Sequence, residues 1–501
     1  MKYLLAYDLG TGGTKASLFD ENGKSAASAF VGCQTFFPKN GYHEQRPADW
    51  WESVVRSTGQ LLEKAGIDPA QIVALAVSGH SLVAVPISRD GKLLAEFVPI
   101  WSDSRAKAQA DKFFTQVDEE RWYMTTGNGF PAPLYSIFKI MWYRDECPEI
   151  YKNAAKFIGT KDYINFKMTG VLCTDRSYAS GSGVYSLWEE RYLEEYIAAS
   201  GVDPEKLPEI FPSTHVVGKI LPKAAAELGL SPETLVCAGG VDNACMALGA
   251  ACMEDGDAYT SLGTSGWIAV SSSAPIVNFE KKPYVFAHCV PGQYVSATCI
   301  FSAGNSFRWL RDVLYTEDEG SYAEMDKLAA SSPAGANGLL FIPTLAGGSG
   351  LDKSPNAKGG YAGLELKHTR ADMIRSTLEG ICLNLRMALD VLAEQTAVGG
   401  SMLIVGGGGK SAFWRQLFAD IYEKEILESN AGQDAGSLGA AAVAAVDVGL
   451  WKDFGEIKSV CQVKKRIEPV AENVRQYRKI LPVFEKISEM YSDIGDMISA
   501  L

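Results

Sequence analysis

The chain opens on an apolar run, Tyr3-Leu4-Leu5-Ala6-Tyr7, that the carboxylate of Asp8 cuts off. A glycine-rich turn follows, then a second strand pattern over Lys15–Phe19 and a polar turn at Asp20-Glu21-Asn22-Gly23. This spacing predicts an opening β-hairpin rather than strand, turn and helix. Residues 48–65 carry Trp51, Val54, Val55, Leu61 and Leu62 at helical spacing, and Gly66 is the stop signal. Ile72–Ser78 and Val83–Ser88 read as apolar strands, the second followed by the hairpin signal Arg89-Asp90-Gly91. Further on, Leu235–Cys237 and Met402–Val405 read as buried strands. Helices are predicted from Asn243, from Arg370 to Glu394, and over Phe413, Leu417, Phe418 and Ile421. Strands alternating with helices predict an α/β protein.

One motif occurs twice. Leu9-Gly10-Thr11-Gly12-Gly13 reappears as Leu262-Gly263-Thr264-Ser265-Gly266, 253 residues later, and each copy lies between two strand patterns. Duplication explains this best: two related domains, each offering a Gly/Thr hairpin to a shared cleft. The boundary is expected near residues 245–258, giving domains 1–250 and 251–501.

Composition narrows the function. The 501 residues suit two to four domains at about 150 residues each. A net charge of −13 and a pI near 5.1 argue against a nucleic-acid or anionic-membrane partner. Asp8 interrupts the first apolar run too early for a signal peptide, and no run reaches the ~18 residues of a membrane span. A cytoplasmic location is therefore expected. Ten cysteines without C-x-x-C spacing read as reduced thiols, and five scattered histidines give no support for zinc.

Several segments could carry chemistry. In Asp8-Leu9-Gly10-Thr11-Gly12-Gly13-Thr14-Lys15 the glycines let backbone N–H groups approach an anion, the threonines add hydroxyls, and Asp8 can hold Mg²⁺. The same residues also suit a plain tight hairpin. A dinucleotide fingerprint fails because Lys15 stands where glycine is needed, and a Walker A motif fails at Ile404. Gly406-Gly407-Gly408-Gly409-Lys410-Ser411 still joins a strand to a helix, and four glycines favour close ligand approach over a bland turn. Asp242, at the head of a small-residue helix, is either an N-cap or a general base. Trp101, Asp103 and Arg105, if extended, share one face suited to a polyol; the alternative is an ordinary strand-to-helix edge with a local ion pair. His80 ends a strand, and Gly380 interrupts a long helix for packing or for a ligand.

These residues, taken together, resemble the FGGY carbohydrate kinases. The resemblance runs in order through Asp8-Leu9-Gly10-Thr11, Trp101-x-Asp103-x-Arg105, Gly240-x-Asp242-Asn243, Ser261 to Gly266, Gly359-Gly360-Tyr361-x-Gly363-Leu364, Leu378-Glu379-Gly380, and Gly406 to Gln416. It implies two ribonuclease-H-like domains of the actin/hexokinase/Hsp70 type with a cleft between them, binding ATP and Mg²⁺. By position it makes Asp242 the general base and Asp8 the Mg²⁺-linked carboxylate. Thr11, Gly12, Gly13 and Lys15 line one phosphate site, and Gly263, Thr264 and Ser265 another. Gly407 and Gly408 lie against the adenosine, while His80, Trp101, Asp103 and Asn243 face the sugar.

Gly-x-Asp-Asn and Ser-Leu-Gly-Thr-Ser-Gly are most similar to xylulokinases, which implies phosphorylation of a terminal hydroxyl of a ketopentose such as D-xylulose. His80-Ser81-Leu82 and Ser177-Tyr178-Ala179-Ser180-Gly181 look closer to gluconate kinases, which keeps an aldonate or polyol as the alternative. The implied partner is a small sugar or polyol, with a homodimer as the candidate assembly. A non-catalytic nucleotide switch of the actin or Hsp70 kind is the competing class.

Overall fold

A computed structural model describes the chain except residues 316–319, 431 and 433. It forms two compact α/β units. The first gathers Met1–Met253, Ser273–Val295 and Asp434–Cys461; the second gathers Glu254–Ser272, Ser296–Gln433 and Gln462–Leu501.

The first unit is built on a mixed sheet. Its strands are β1 (Tyr3–Gly10), β2 (Gly13–Asp20), β3 (Ser25–Gly32), β4 (Ile72–Gly79), β5 (Val216–Lys219), β6 (Leu235–Cys237) and the two-residue β7 (Gly240–Val241). The order is β3-β2-β1-β4-β6-β5, with β7 also paired to β4. β1 and β2 form the antiparallel hairpin expected from the sequence, with Asp8 opposite Lys15. β4 runs parallel to β1, and β6 and β7 run parallel to β4, while β5 is antiparallel to β6; this register aligns Asp8 with Ser78 and Val241 with Gly79. β1 is a near-continuous buried run because both faces of the sheet are covered.

The helix Pro47–Ala65 covers one face. Proline opens it, and Gly66 closes it in the left-handed region at φ 60°, donating to the Leu62 carbonyl. Its buried stripe of Trp50, Val54, Thr58 and Leu61 packs on the sheet, and the Tyr7 and Thr58 hydroxyls meet at 2.6 Å. The other face receives two small-residue helices, Asp242–Gly249 and Ala435–Asp447, which pack with their backbones nearly touching. A Cβ at Gly249 would overlap the Ala435 carbonyl, and one at Gly439 would overlap the Cys245 carbonyl.

The second unit repeats the plan. Its strands are β8 (Ala258–Leu262), β9 (Gly266–Ser272), β10 (Tyr294–Ile300), β11 (Ser401–Val405), β12 (Glu425–Ser429) and β13 (Val463–Ile467), ordered β10-β9-β8-β11-β12-β13. β8 and β9 are antiparallel and joined by the second Gly/Thr turn, while β11 and β12 run parallel beside β8. The two hairpins thus occupy equivalent places in equivalent sheets.

Gly380 lies in the long helix Arg370–Ala393, where a Cβ would overlap the Phe341 carbonyl. The ~1 kcal/mol that mid-helix glycine costs is smaller than such an overlap, so packing explains it. Among the described residues, none of the ten cysteines is in a disulfide. Among the described residues, no helix is long and apolar enough to cross a membrane.

Gly439→Ala is expected to destabilise the protein by about 1–3 kcal/mol through overpacking. Thermal melting checks this, and an unchanged Tm would show that the two helices can part without cost.

Candidate active site

The carboxyl ends of β1, β4 and β7 lie side by side, the usual place for chemistry in a parallel sheet. Asp8 near the end of β1 accepts from the Ser78 hydroxyl at 2.9 Å. Lys15, across the hairpin, is ion-paired with Asp434 just before the helix Ala435–Asp447. The next turn of chain brings Gly436 so close that a Cβ there would lie 2.8 Å from Asp8 Oδ2. Asp8 therefore faces a helix N-terminus, which favours a negative group. Burial nevertheless raises its proton affinity, opposed by Ser78 and Lys15.

Asp242 follows β7 at the head of its helix. It is half-buried, and its Oδ1 accepts the Asn243 N–H at 2.8 Å. Burial and then the charge on Asp8 push its pKa up to about 7. A carboxylate so tuned can take a proton from a hydroxyl near neutral pH.

The other predicted residues of this unit surround the same strand ends. The Thr11 hydroxyl accepts from the Trp101 indole N–H at 2.9 Å, so the hairpin and the polyol candidate meet. Gly12 has open space around its Cα, whereas Gly13 at φ 149° sits against the Val31 carbonyl. His80 is buried and edge-on to Trp50. Its Nδ1 lies 3.2 Å from the Leu9 carbonyl, and its Nε2 has no partner. Burial lowers its pKa to about 4, so the ring is neutral at pH 7.

Residues 101–105 are not extended. The Asp103 N–H donates to the Ile100 carbonyl, and the Asp103 carboxylate accepts from the Arg105 N–H at 3.0 Å, closing a turn. Asp103 also accepts from the Arg105 guanidinium and, at 2.7 Å, from the His43 N–H, so it is wholly buried. The three side chains therefore do not share a strand face.

In the second unit, the turn Gly263-Thr264-Ser265 is closed by the Gly263 N–H donating to the Ser265 carbonyl at 3.0 Å. It borders a pocket of about 570 Å³ lined by Gly407, Gly408, Phe307, Tyr322, Trp414 and Asp326 among others. That volume and its aromatic walls suit a nucleoside. The glycine run has a further cause beyond ligand approach. A Cβ at Gly408 would overlap the Leu262 side chain, and Gly406 and Gly409 press on backbone carbonyls at 2.7 and 2.8 Å; Gly407 alone has free space.

Sequence reasoning passed over Asp434 and Gly436, although the small-residue run from Leu438 to Val446 marks the helix that carries them. It also passed over Asp326, whose Oδ2 accepts from the Ser411 hydroxyl at 2.6 Å at the pocket wall.

A carboxylate tuned to neutral pH in one unit and a nucleoside-sized pocket in the other, on duplicated ribonuclease-H-like sheets, define a phosphoryl-transfer enzyme. Residues 3–249 match the N-terminal domain, and 258–448 the C-terminal domain, of the FGGY family of carbohydrate kinases, and the chain belongs to that family. It is 28% identical to a xylulose kinase of Bacillus subtilis, covering 100% of this chain and 99% of that one. Its fold matches ligand-bound xylulose kinase from Lactobacillus acidophilus with a TM-score of 0.90 at 29% identity, over 97% of this chain and 98% of the other. Gluconate kinase from the same organism matches equally, with a TM-score of 0.90 at 29% identity over 98% of each chain. The protein is thus a sugar kinase, which sets aside the nucleotide-switch reading.

The raised pKa of Asp242 predicts a stability effect. Its ionised form is disfavoured in the fold, so the contribution is intact below the unfolded value of 3.8 and is lost as pH rises to about 7. Asp242→Asn should therefore gain Tm relative to the parent across that interval and hold the gain above it. A Tm difference that is the same at pH 5 and pH 8 would contradict the assignment.

Proposed function

We propose that the protein transfers the γ-phosphoryl group of ATP to a terminal hydroxyl of a neutral ketopentose, D-xylulose being the first candidate. The observation that carries this reading is Asp242, whose carboxylate titrates near neutral pH at the strand ends beside Asp8. Asp242 takes the proton of the sugar hydroxyl as its oxygen bonds to phosphorus, and the bond to the β-phosphate oxygen breaks to release ADP. The Gly263–Ser265 turn and the pocket beside it suit the nucleotide, with Gly407 and Gly408 along the base and ribose. Thr11, Gly12 and Gly13 offer hairpin donors to the transferring phosphate, with Lys15 beside them. His80, Trp101 and Asn243 form the sugar side, where the neutral imidazole of His80 can accept or donate to a hydroxyl, and Asp103 is buried behind them on Arg105 and the His43 N–H.

The residues fit a divalent cation. Asp8 and Asp242 both hold their protons more tightly than ordinary carboxylates, so a dication beside them relieves an unfavourable arrangement. Among the described residues no group of three potential ligands could hold a metal ion by itself, which suits Mg²⁺ shared with phosphate oxygens. When bound through Asp8, Mg²⁺ would neutralise phosphate charge.

A neutral sugar is favoured over an aldonate because the cations near His80 are already engaged. Lys139 Nζ donates to the Leu82 and Ile100 carbonyls at 2.7 and 2.6 Å. Lys161 is held by Asp162 and Asp175, and Arg105 by Asp103 and Glu44. A substrate carboxylate drawing on Lys161 or Arg105 would need an ion pair to break.

An ADP-release assay over pentuloses, hexuloses, aldonates and tetritols is expected to give the highest kcat/KM with D-xylulose. A higher value with gluconate would overturn the neutral-sugar reading. Asp242→Ala should lower kcat by about 10²–10⁴-fold with ATP binding kept. Near-normal turnover in that variant would remove Asp242 as the base.

A further inference from the structure

Asp175 to Tyr178 join two loops that the proposed reaction uses. At the root is a buried charge cluster. Lys161 Nζ lies 2.6 Å from Asp162 Oδ1, 2.9 Å from Asp175 Oδ1 and 3.1 Å from the Ala238 carbonyl, and none of the three side chains reaches solvent beyond a trace. The free oxygen of Asp175 accepts from three donors: the Ser177 N–H at 2.9 Å, the Ser177 hydroxyl at 2.6 Å and the Ser213 hydroxyl at 2.7 Å. Because its proton goes to Asp175, the Ser177 oxygen is left as an acceptor. It takes the Val241 N–H at 2.9 Å, one residue before Asp242. The loop has little slack there, since a Cβ on Gly240 would lie 2.6 Å from Cys289 Sγ and 3.2 Å from Ser177 Oγ.

The next residue reaches the other way. The Tyr178 hydroxyl donates to the His80 carbonyl at 3.1 Å and accepts from the Thr160 N–H at 3.2 Å. The Thr160 hydroxyl donates to the same carbonyl at 2.5 Å. Tyr178 is buried, and its ring packs so closely on Gly159 that a Cβ there would overlap it. Consecutive side chains thus grip the backbone of both loops from one charge-anchored turn. Charge-assisted hydrogen bonds in a dry interior are strong and directional, which suits holding loops rather than binding a ligand.

We propose that Ser177 and Tyr178 are positioning residues that form a two-pronged clamp, Ser177 setting the position of Asp242 and Tyr178 that of His80. This rests on the roles proposed above for Asp242 and His80. The two prongs act on different kinetic constants. A displaced base slows the chemical step, whereas a displaced sugar loop weakens binding.

Steady-state kinetics with D-xylulose and ATP test the clamp. Ser177→Ala is expected to lower kcat by about 10- to 100-fold with the sugar KM within about threefold of the parent. Tyr178→Phe is expected to raise the sugar KM by about tenfold with kcat within about threefold. Ser177→Cys, close in shape with a weaker donor and acceptor, should fall between parent and Ser177→Ala, and it serves if the alanine variant does not fold. In an Asp242→Asn background, Ser177→Ala should change the residual rate by less than about twofold, because the group it positions is gone. A lower Tm with unchanged kinetic constants in both single variants would mark a merely structural network and overturn the proposal. Parent-like turnover in Asp242→Asn would instead defeat the base assignment. Loss of turnover there with normal Ser177→Ala kinetics would defeat the clamp alone.

Discussion

The first unit depends on bringing half-buried carboxylates together at its strand ends. Asp8 lies near the end of β1 and Asp242 just after β7, two strands that flank β4, and the charge on Asp8 disfavours the charge on Asp242. A fold tolerates this only where rigid neighbours leave neither group free to turn away. The parallel register of β1, β4 and β7 fixes the backbone. The helix from Ala435 closes from the far side, where only glycine fits at position 436. Lys15 balances Asp434 rather than cancelling Asp8 outright. The result is a carboxylate at Asp242 whose pKa burial and the Asp8 charge push up to about 7.

The local devices of this site were legible in the sequence because they are contiguous. An apolar strand cut by Asp8, a glycine turn and a second strand can form little but a hairpin, and the repeat at Leu262 exposed the internal duplication. The glycine stop at 66 follows from local chemistry in the same way, whereas Asp242 is not the N-cap, since Val241 holds that place and Asp242 is the first helical residue. Resemblance to a family supplied the roles, since spacing alone left Asp242 divided between cap and base.

What escaped was whatever depends on distant chain. Asp434 and Gly436 reach Asp8 from more than 400 residues away, on a helix whose alanines read only as a small apolar run. Lys161 and Asp175 look like ordinary surface charges until the fold buries both. The glycines at 406, 408 and 409 misled in the opposite direction. Four in a row suggested ligand approach, yet three are imposed by carbonyls and by Leu262. The run Trp101 to Arg105 also misled, because alternate polar residues suit a strand face and a side-chain-closed turn equally well. Asp103 chose the turn, since its carboxylate can accept the N–H two residues on and a guanidinium together.

The duplication explains a division of labour. Both sheets carry the same hairpin between their first two strands, but the residues at the neighbouring strand ends have diverged. In the first unit β4 and β7 lead into His80 and Asp242, an imidazole and a carboxylate that suit the proposed handling of a hydroxyl. In the second, β11 leads into Gly406–Gly409, of which Gly407 has open space and, with Gly408, lines the pocket beside Leu262 and Gly263. A glycine loop can cradle a nucleotide but cannot move a proton. A buried acid can move a proton but would repel a polyphosphate unless a cation intervened. Under the proposed roles, placing the two tasks on two sheets of one plan lets each strand end be tuned without compromising the other.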